Sequence, residues 1–346
     1  MLKNLKVPNM LCKGGNAAIV ASSWGGPSVF PHKAEYGIKM IEENFGLNVK
    51  MMPFATASAD DIAANPKKRA EDLMAAFKDD SVDVIISAIG GTDSIRMLPY
   101  IDFDVITNNP KPYIGYSDST ITHFMCLKAG VRSYYGPSLM AGFAENGGLF
   151  DFMKNSVEKT LFSNEVIGCL ENTEGFVIKQ HKWGSRVLLD QKRSLLPARK
   201  QKVINGSLNA KGRLIGGCME VLEFMKDTVL WDKAYFKDAI LFLETSEDSP
   251  TADFVKYWMR NYAASGILKD LAGIIVGRPQ SDDDGYIDEQ YNAILQVVRD
   301  EEGLDLPVLV NCNFGHTDPQ MLLPYGALAE IDIETATFSI LESGVK

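Results

Sequence analysis

The chain has 346 residues, 46% of them apolar and 23% charged, which excludes a disordered or fibrous protein and leaves room for two domains or one large α/β unit. A formal net charge of −10 argues against nucleic-acid backbones and anionic membrane surfaces as main partners, although a small-molecule site can still be locally positive. Five scattered cysteines with no C-x-x-C pair fit reduced thiols better than disulfides or zinc, and no signal-like or membrane-length apolar run is present, so we expect a soluble, cytoplasmic protein without metal or cofactor.

Residues 17–24 read as a buried strand closed by Gly25-Gly26-Pro27. A tight turn is the better reading there than a phosphate loop, because the spacing fits neither G-x-G-x-x-G nor a P-loop. A helix is expected over 32–45, with Tyr36, Met40, Ile41 and Phe45 near one face and Gly46 as its stop. A strand at 49–54 follows. Asn65-Pro66 then opens a second helix whose Ala70, Leu73, Met74 and Phe77 recur at core spacing. The β-branched run 82–89 reads as a central strand ending in Gly90-Gly91-Thr92-Asp93, with a short helix at 94–98. Apolar strands alternating with helices indicate a parallel sheet covered on both faces, whose sites lie at the carboxyl ends of its strands. Gly90-Gly91 occupies such an end. Gly91 is a candidate backbone donor to an oxyanion, and a simple loop is the competing reading.

The stretch 111–120 carries the strongest signal. A short apolar run leads into Gly115-Tyr116-Ser117-Asp118, and a helix over 119–129 begins at once. Strand, sharp turn, serine and helix make the context of a nucleophile elbow, which exposes the hydroxyl beside unpaired N–H groups of the helix start. Asp118 suits the positive helix end. Ser119 replaces the last glycine of G-x-S-x-G, and an ordinary strand-to-helix cap is the alternative. Beyond a helix at 149–163, residues 164–210 turn polar and irregular, which suggests a crossing between domains and a long functional loop. Trp183 in that loop could stack on a flat substrate group or be buried beneath the loop.

A second α/β segment starts near 212 with Gly212-Arg213-Leu214-Ile215-Gly216-Gly217 and an apolar helix at 219–225. Strands at 239–243, 272–276 and 307–311 alternate with helices at 253–264 and 287–300, and 328–333 with 337–341 resembles a hairpin. Phe254, Trp258 and Tyr262 recur at i, i+4, i+8 in the first of those helices. Asp282-Asp283-Asp284-Gly285 lacks EF-hand spacing and reads as a solvated turn.

A serine nucleophile needs a base in reach and a third group to orient that base. Of four histidines, His316 follows a strand, whereas His32 lies near a helix start and His123 on the helix leading away from Ser117. His181, in the polar loop, is the competitor. Glu244, directly after 240–243, is the candidate acid; its alternative is a structural ion pair. Ser117, Glu244, His316 is the nucleophile–acid–base order of α/β-hydrolases.

These residues resemble a family. Gly90 to Pro99, Gly115 to Thr120, Gly212 to Gly217, Leu243-Glu244-Thr245-Ser246-Glu247 and Asn313-Phe314-Gly315-His316-Thr317 are similar, in order, to landmarks of the LD-carboxypeptidase family of serine peptidases. The Leu-Glu-Thr-Ser-Glu form resembles the branch that contains microcin C immunity proteins. The resemblance implies an N-terminal flavodoxin-like parallel-sheet sandwich, a C-terminal swivelling β/α domain and a site between them, usually in a homodimer. On this chain it implies an N-terminal domain at 1–165, a linker and substrate loop at 166–210 and a C-terminal domain at 211–346. It maps nucleophile, acid and base onto Ser117, Glu244 and His316, and the oxyanion donors onto the N–H groups of Gly91 and Asp118. Trp183 falls where that branch stacks an aromatic residue on a nucleobase, with Gly90 and Thr92 as further substrate contacts. Two positions depart from the family: Cys218 where asparagine is common, and Asp248 where relatives often have lysine.

The expected activity is therefore metal-independent hydrolysis of an amide, in a microcin C-type aminoacyl-nucleotide or, alternatively, in the terminal D-alanine linkage of a murein tetrapeptide. A non-catalytic binding protein on the same fold is the rival from another class. A nucleotide-dependent enzyme using Gly25-Gly26 lacks a fingerprint.

Overall fold

Five short strands, β1 (Asn16–Val20), β2 (Asn48–Met51), β3 (Val84–Ser87), β4 (Tyr113–Gly115) and β5 (Tyr134–Tyr135), pair in parallel in the order β5-β4-β3-β1-β2. That is the flavodoxin-like order, with its switch point between β1 and β3. The computed structural model of the chain describes residues 2–170, 173, 175–178 and 182–346. Every residue of β3 and β4 is buried, as expected of strands covered on both faces. The connecting helices Pro31–Phe45, Pro66–Lys78 and Ser119–Lys128 lie over the expected spans, although neither the Asn65 nor the Asp118 side chain makes a capping bond, and Asn65 Nδ2 donates instead to Asp61 O at 2.9 Å. Gly46 ends the first helix in a left-handed conformation at φ 65°.

The rest of the chain supplies β6 (Gly168–Cys169), β7 (Gly175–Phe176), β8 (Leu196–Pro197), β9 (Lys202–Asn205), β10 (Ala210–Cys218), β11 (Ala239–Glu244), β12 (Gly273–Gly277), β13 (Val308–Cys312), β14 (Leu323–Pro324), β15 (Leu328–Asp332) and β16 (Thr337–Ile340). The second sheet runs β6-β16-β15-β10-β11-β12-β13-β9, with β10 to β13 parallel and the flanking pairs antiparallel. The predicted hairpin is β15–β16. Gly216 is required in β10: at φ 155° its missing side chain leaves room for Phe242 O, which a Cβ would meet at 1.8 Å.

Three features differ in detail from the periodicity. The polar stretch 164–210 contributes β6 to one edge of the second sheet and β9 to the other, with β7–β8 as a small ribbon. These strands are two to four residues long, too short to leave an alternating pattern. In the helix Ala252–Ala264 the buried face is Val255, Met259 and Tyr262, and Phe254 is exposed, so the aromatic row crosses from core to surface. Finally, β14 leaves the second half of the chain and pairs antiparallel with β5, completing the first sheet. Among the described residues, no helix is long and apolar enough to cross a membrane.

Candidate active site

Ser117 sits in the turn between β4 and the helix Ser119–Lys128, and its φ of 60° puts a non-glycine residue in the left-handed region. Such a conformation is uncommon and costs about 1–2 kcal/mol, so the surrounding bonds must hold it. Ser117 N–H donates to the Tyr135 hydroxyl at 3.0 Å, and Ser117 O accepts from Thr120 N–H at 2.9 Å and Thr120 Oγ1 at 2.7 Å. The Gly90-Gly91 end of β3 closes over the serine. A Cβ on Gly90 would lie 3.0 Å from Ser117 Oγ, and Gly91 adopts φ 144°. Asp118 ties that loop to the elbow, because its Oδ2 accepts from the N–H groups of Asp93 at 2.9 Å and Ser94 at 2.8 Å. The N–H groups of Gly91 and Asp118 donate to no described residue.

Glu244 ends β11 and is buried, at 1% exposure. Its Oε2 accepts from His316 Nδ1 at 2.6 Å, and its Oε1 accepts from the Tyr135 hydroxyl. Gly315 makes the approach possible, since a Cβ there would meet Glu244 Oε2 at 2.6 Å. The other ring nitrogen, His316 Nε2, lies 3.0 Å from Glu247 Oε2. Burial alone would lower the His316 pKa, but the Glu244 and Glu247 carboxylates outweigh it and hold it well above the usual imidazole value. No described hydrogen bond joins Ser117 Oγ to His316. Both nevertheless line one cavity of about 200 Å³, with Trp24, Ile89, Gly90, Gly91, Tyr116, Ala141, Trp183, Glu247 and Gln280.

The other histidines have different work. His123 is buried, bonded to Ser133 Oγ at 2.9 Å and Gly115 O at 2.8 Å, and burial depresses its pKa to about 3. His32 Nε2 meets Trp183 O at 2.5 Å and pins the backbone of that loop. His181 lies outside the described residues. Trp183 packs on Trp24 at 6.4 Å and edge-on to Phe30 at 5.8 Å, with Lys33 Nζ 5.8 Å above its ring. The tryptophan is thus both packed and a wall of the cavity. Thr92 is exposed and lies outside the cavity lining. Cys218 is buried with its thiol 3.2 Å from Glu220 Oε2, and Asp248 is exposed. Trp24, Tyr135 and Glu247 were not singled out from sequence as site residues. Trp24 carries a readable signal, a large aromatic at the carboxyl end of a strand, whereas Tyr135 reaches the site only through the adjacency of β4 and β5. Among the described residues, no group of three histidines, cysteines or carboxylates is arranged to hold a metal ion.

Residues 17–136 match the model of the LD-carboxypeptidase N-terminal domain, and residues 211–331 match that of the C-terminal domain. The chain belongs to the LD-carboxypeptidase family. Within this family, it is 28% identical to the microcin C7 self-immunity protein MccF of Escherichia coli over 80% of its own length and 78% of that protein's. It is 26% identical to a Bacillus subtilis protein named as a probable murein peptide carboxypeptidase, over 98% of its own length and 95% of the other. Among solved structures, an MccF-like protein of Streptococcus pneumoniae in complex with AMP superposes with a TM-score of 0.84 at 27% identity, covering 94% of this chain and 98% of that one. MccF itself in complex with aspartyl sulfamoyl adenosine superposes at 0.86 with 23% identity, covering 99% and 100% of the two chains, which shows the shared fold.

Proposed function

We propose that this LD-carboxypeptidase family member is a serine hydrolase that cleaves the amide of an aminoacyl-nucleotide of the microcin C type. Ser117 attacks the carbonyl, His316 takes the hydroxyl proton and returns it to the leaving nitrogen, and Glu244 holds the imidazole. The Gly91 and Asp118 N–H groups face the developing oxyanion. The observation that carries this reading is that one small cavity is lined by a strained serine at a helix start and by a histidine whose far nitrogen is held by a buried glutamate. Trp24 and Trp183, tilted 30° to each other, give the cavity two indole surfaces, which favours a nucleobase over a peptide. The same reading assigns 1–165 to the nucleophile, 166–210 to linker and substrate loop and 211–346 to Glu244 and His316, in a cytoplasmic homodimer.

The decisive assay supplies purified protein with an aminoacyl sulfamoyl adenosine and with a murein tetrapeptide. Release of the free amino acid from the first, lost in Ser117→Ala, supports the reading. Release of D-alanine from the second with no attack on the first replaces it with the murein carboxypeptidase reading. That second reading is favoured by the near full-length similarity to the Bacillus subtilis protein. A chain that turns over neither and is not labelled by a fluorophosphonate probe is a binding protein.

A further inference from the structure

The ring nitrogen that a serine hydrolase must keep free is occupied in this structure. His316 Nε2 sits 3.0 Å from Glu247 Oε2, while Nδ1 sits 2.6 Å from Glu244 Oε2. Ionised carboxylates only accept hydrogen bonds, so a ring between two of them donates from both nitrogens and is an imidazolium. An imidazolium has no lone pair with which to take the Ser117 proton. Catalysis therefore requires Glu247 to leave and the ring to give up its Nε2 proton.

The surroundings make that departure cheap and selective. The Glu247 side chain is 65% exposed, whereas its neighbour Ser246 is anchored by Glu220 Oε1, through N–H at 2.8 Å and Oγ at 2.7 Å. The carboxylate can swing on a fixed base. Other groups facing the ring are Glu244 from β11 and the ring of Tyr116, its centroid 5.0 Å away; Tyr135 stands behind Glu244. Asp318, two residues past His316, is held by Arg193 at 2.6 Å, and Arg193 also pairs with Glu145. Apart from His316, Glu247 is the one ionic side chain among the described residues that line the cavity. Glu244, His316 and Glu247 together leave that wall with one excess negative charge, so a cation entering the cavity meets a ready partner.

Resting on the hydrolase reading above, we propose that Glu247 is a positioning and specificity residue that exchanges His316 Nε2 for an ammonium group on the acyl part of the substrate; left with one carboxylate, the ring releases its Nε2 proton to solvent and is then free to take the Ser117 proton. Substrates with a free amine beside the scissile carbonyl are then the preferred class. An amine-blocked analogue leaves Glu247 on the ring.

Two measurements on the full chain test this. The first follows the His316 ring by NMR titration without substrate, in wild type and in Glu247→Gln, with thermal unfolding to show that both are folded. The titration midpoint of His316 falls by about one pH unit or more in the variant; an unchanged midpoint overturns the proposal. The second measures binding of an aminoacyl sulfamoyl adenosine, free or N-acetylated, to Ser117→Ala with and without Glu247→Gln. The free amine binds about tenfold tighter when Glu247 is present, and the preference disappears without it. Equal binding of the two ligands by the Glu247 protein, or a preference that survives Glu247→Gln, overturns it. If the hydrolase reading fails, no Ser117-dependent turnover is found, yet the titration still reports on the Glu247 contact.

Discussion

Ser117 N–H donates to the Tyr135 hydroxyl at 3.0 Å, and the same hydroxyl donates to Glu244. One phenol thereby joins the backbone of the serine to the acid that holds His316. Tyr135→Phe removes both bonds and leaves a buried carboxylate with one partner fewer. A hydrogen bond to a buried charge is worth about 1.5–3 kcal/mol. We expect a lower Tm and a fall of about tenfold or more in kcat with KM little changed, by thermal unfolding and steady-state kinetics. Unchanged values of both mean that the phenol only fills space.

The left-handed backbone at Ser117 separates two substitutions that look equivalent. Ser117→Ala and Ser117→Gly both lose about four to six orders of magnitude in kcat if the serine is the nucleophile. Ser117→Gly should nevertheless be more stable than Ser117→Ala by about 1 kcal/mol, because only glycine adopts φ 60° without strain. Denaturant unfolding of the pair reads this directly. Alanine as the more stable of the two means the elbow is unstrained.

Two histidines bend the stability profile in opposite directions. His316 has its pKa raised in the folded chain, so its stabilisation is complete below its unfolded value near 6.5 and is lost as the pH rises through the folded value. His123, buried with its pKa depressed to about 3, must charge on unfolding, so stability falls as the pH drops from about 6.5 towards 3. We expect Tm to peak between the two. His316→Asn should flatten the alkaline side and His123→Gln the acid side, in thermal scans across pH; a profile unchanged by either substitution rejects the assignment.

Arg193 bridges Glu145 and Asp318, all three buried. Arg193→Met leaves two carboxylates without their guanidinium and should cost about 3–5 kcal/mol in denaturant unfolding. Arg193→Lys retains charge but not the planar fork, and should recover only part of the loss.

Trp183 walls the cavity on a loop fixed by His32. Under the nucleotide reading, Trp183→Ala raises KM for an aminoacyl-nucleotide about tenfold, as expected of one lost base-stacking contact, with kcat nearly unchanged. A murein peptide should show no such effect. Equal effects on both substrates mean that the indole shapes the loop rather than reading a base.

Much of this was legible from residue order. Parallel strands with apolar sequences, the glycine pair at 90–91 and the serine between strand and helix all follow from local pattern, as do the positions of Glu244 and His316 at strand ends. Tyr135 was not legible, because its role depends on lying one strand over from Ser117. Glu247 belongs to the Leu243-Glu244-Thr245-Ser246-Glu247 motif, but that its carboxylate meets Nε2 follows from the course of the chain after Thr245, which no periodicity encodes. The strands β6 and β9 escaped because two to four residues carry no period of their own.

Leu323 and Pro324 close the edge of a sheet whose other strands all come from the first 135 residues. A ribosome must therefore translate nearly the whole message before that sheet acquires its last strand. A fragment truncated near 310 should keep the Tyr134–Tyr135 edge open and aggregate, and severing the chain at 200 should give halves that regain activity only when co-expressed.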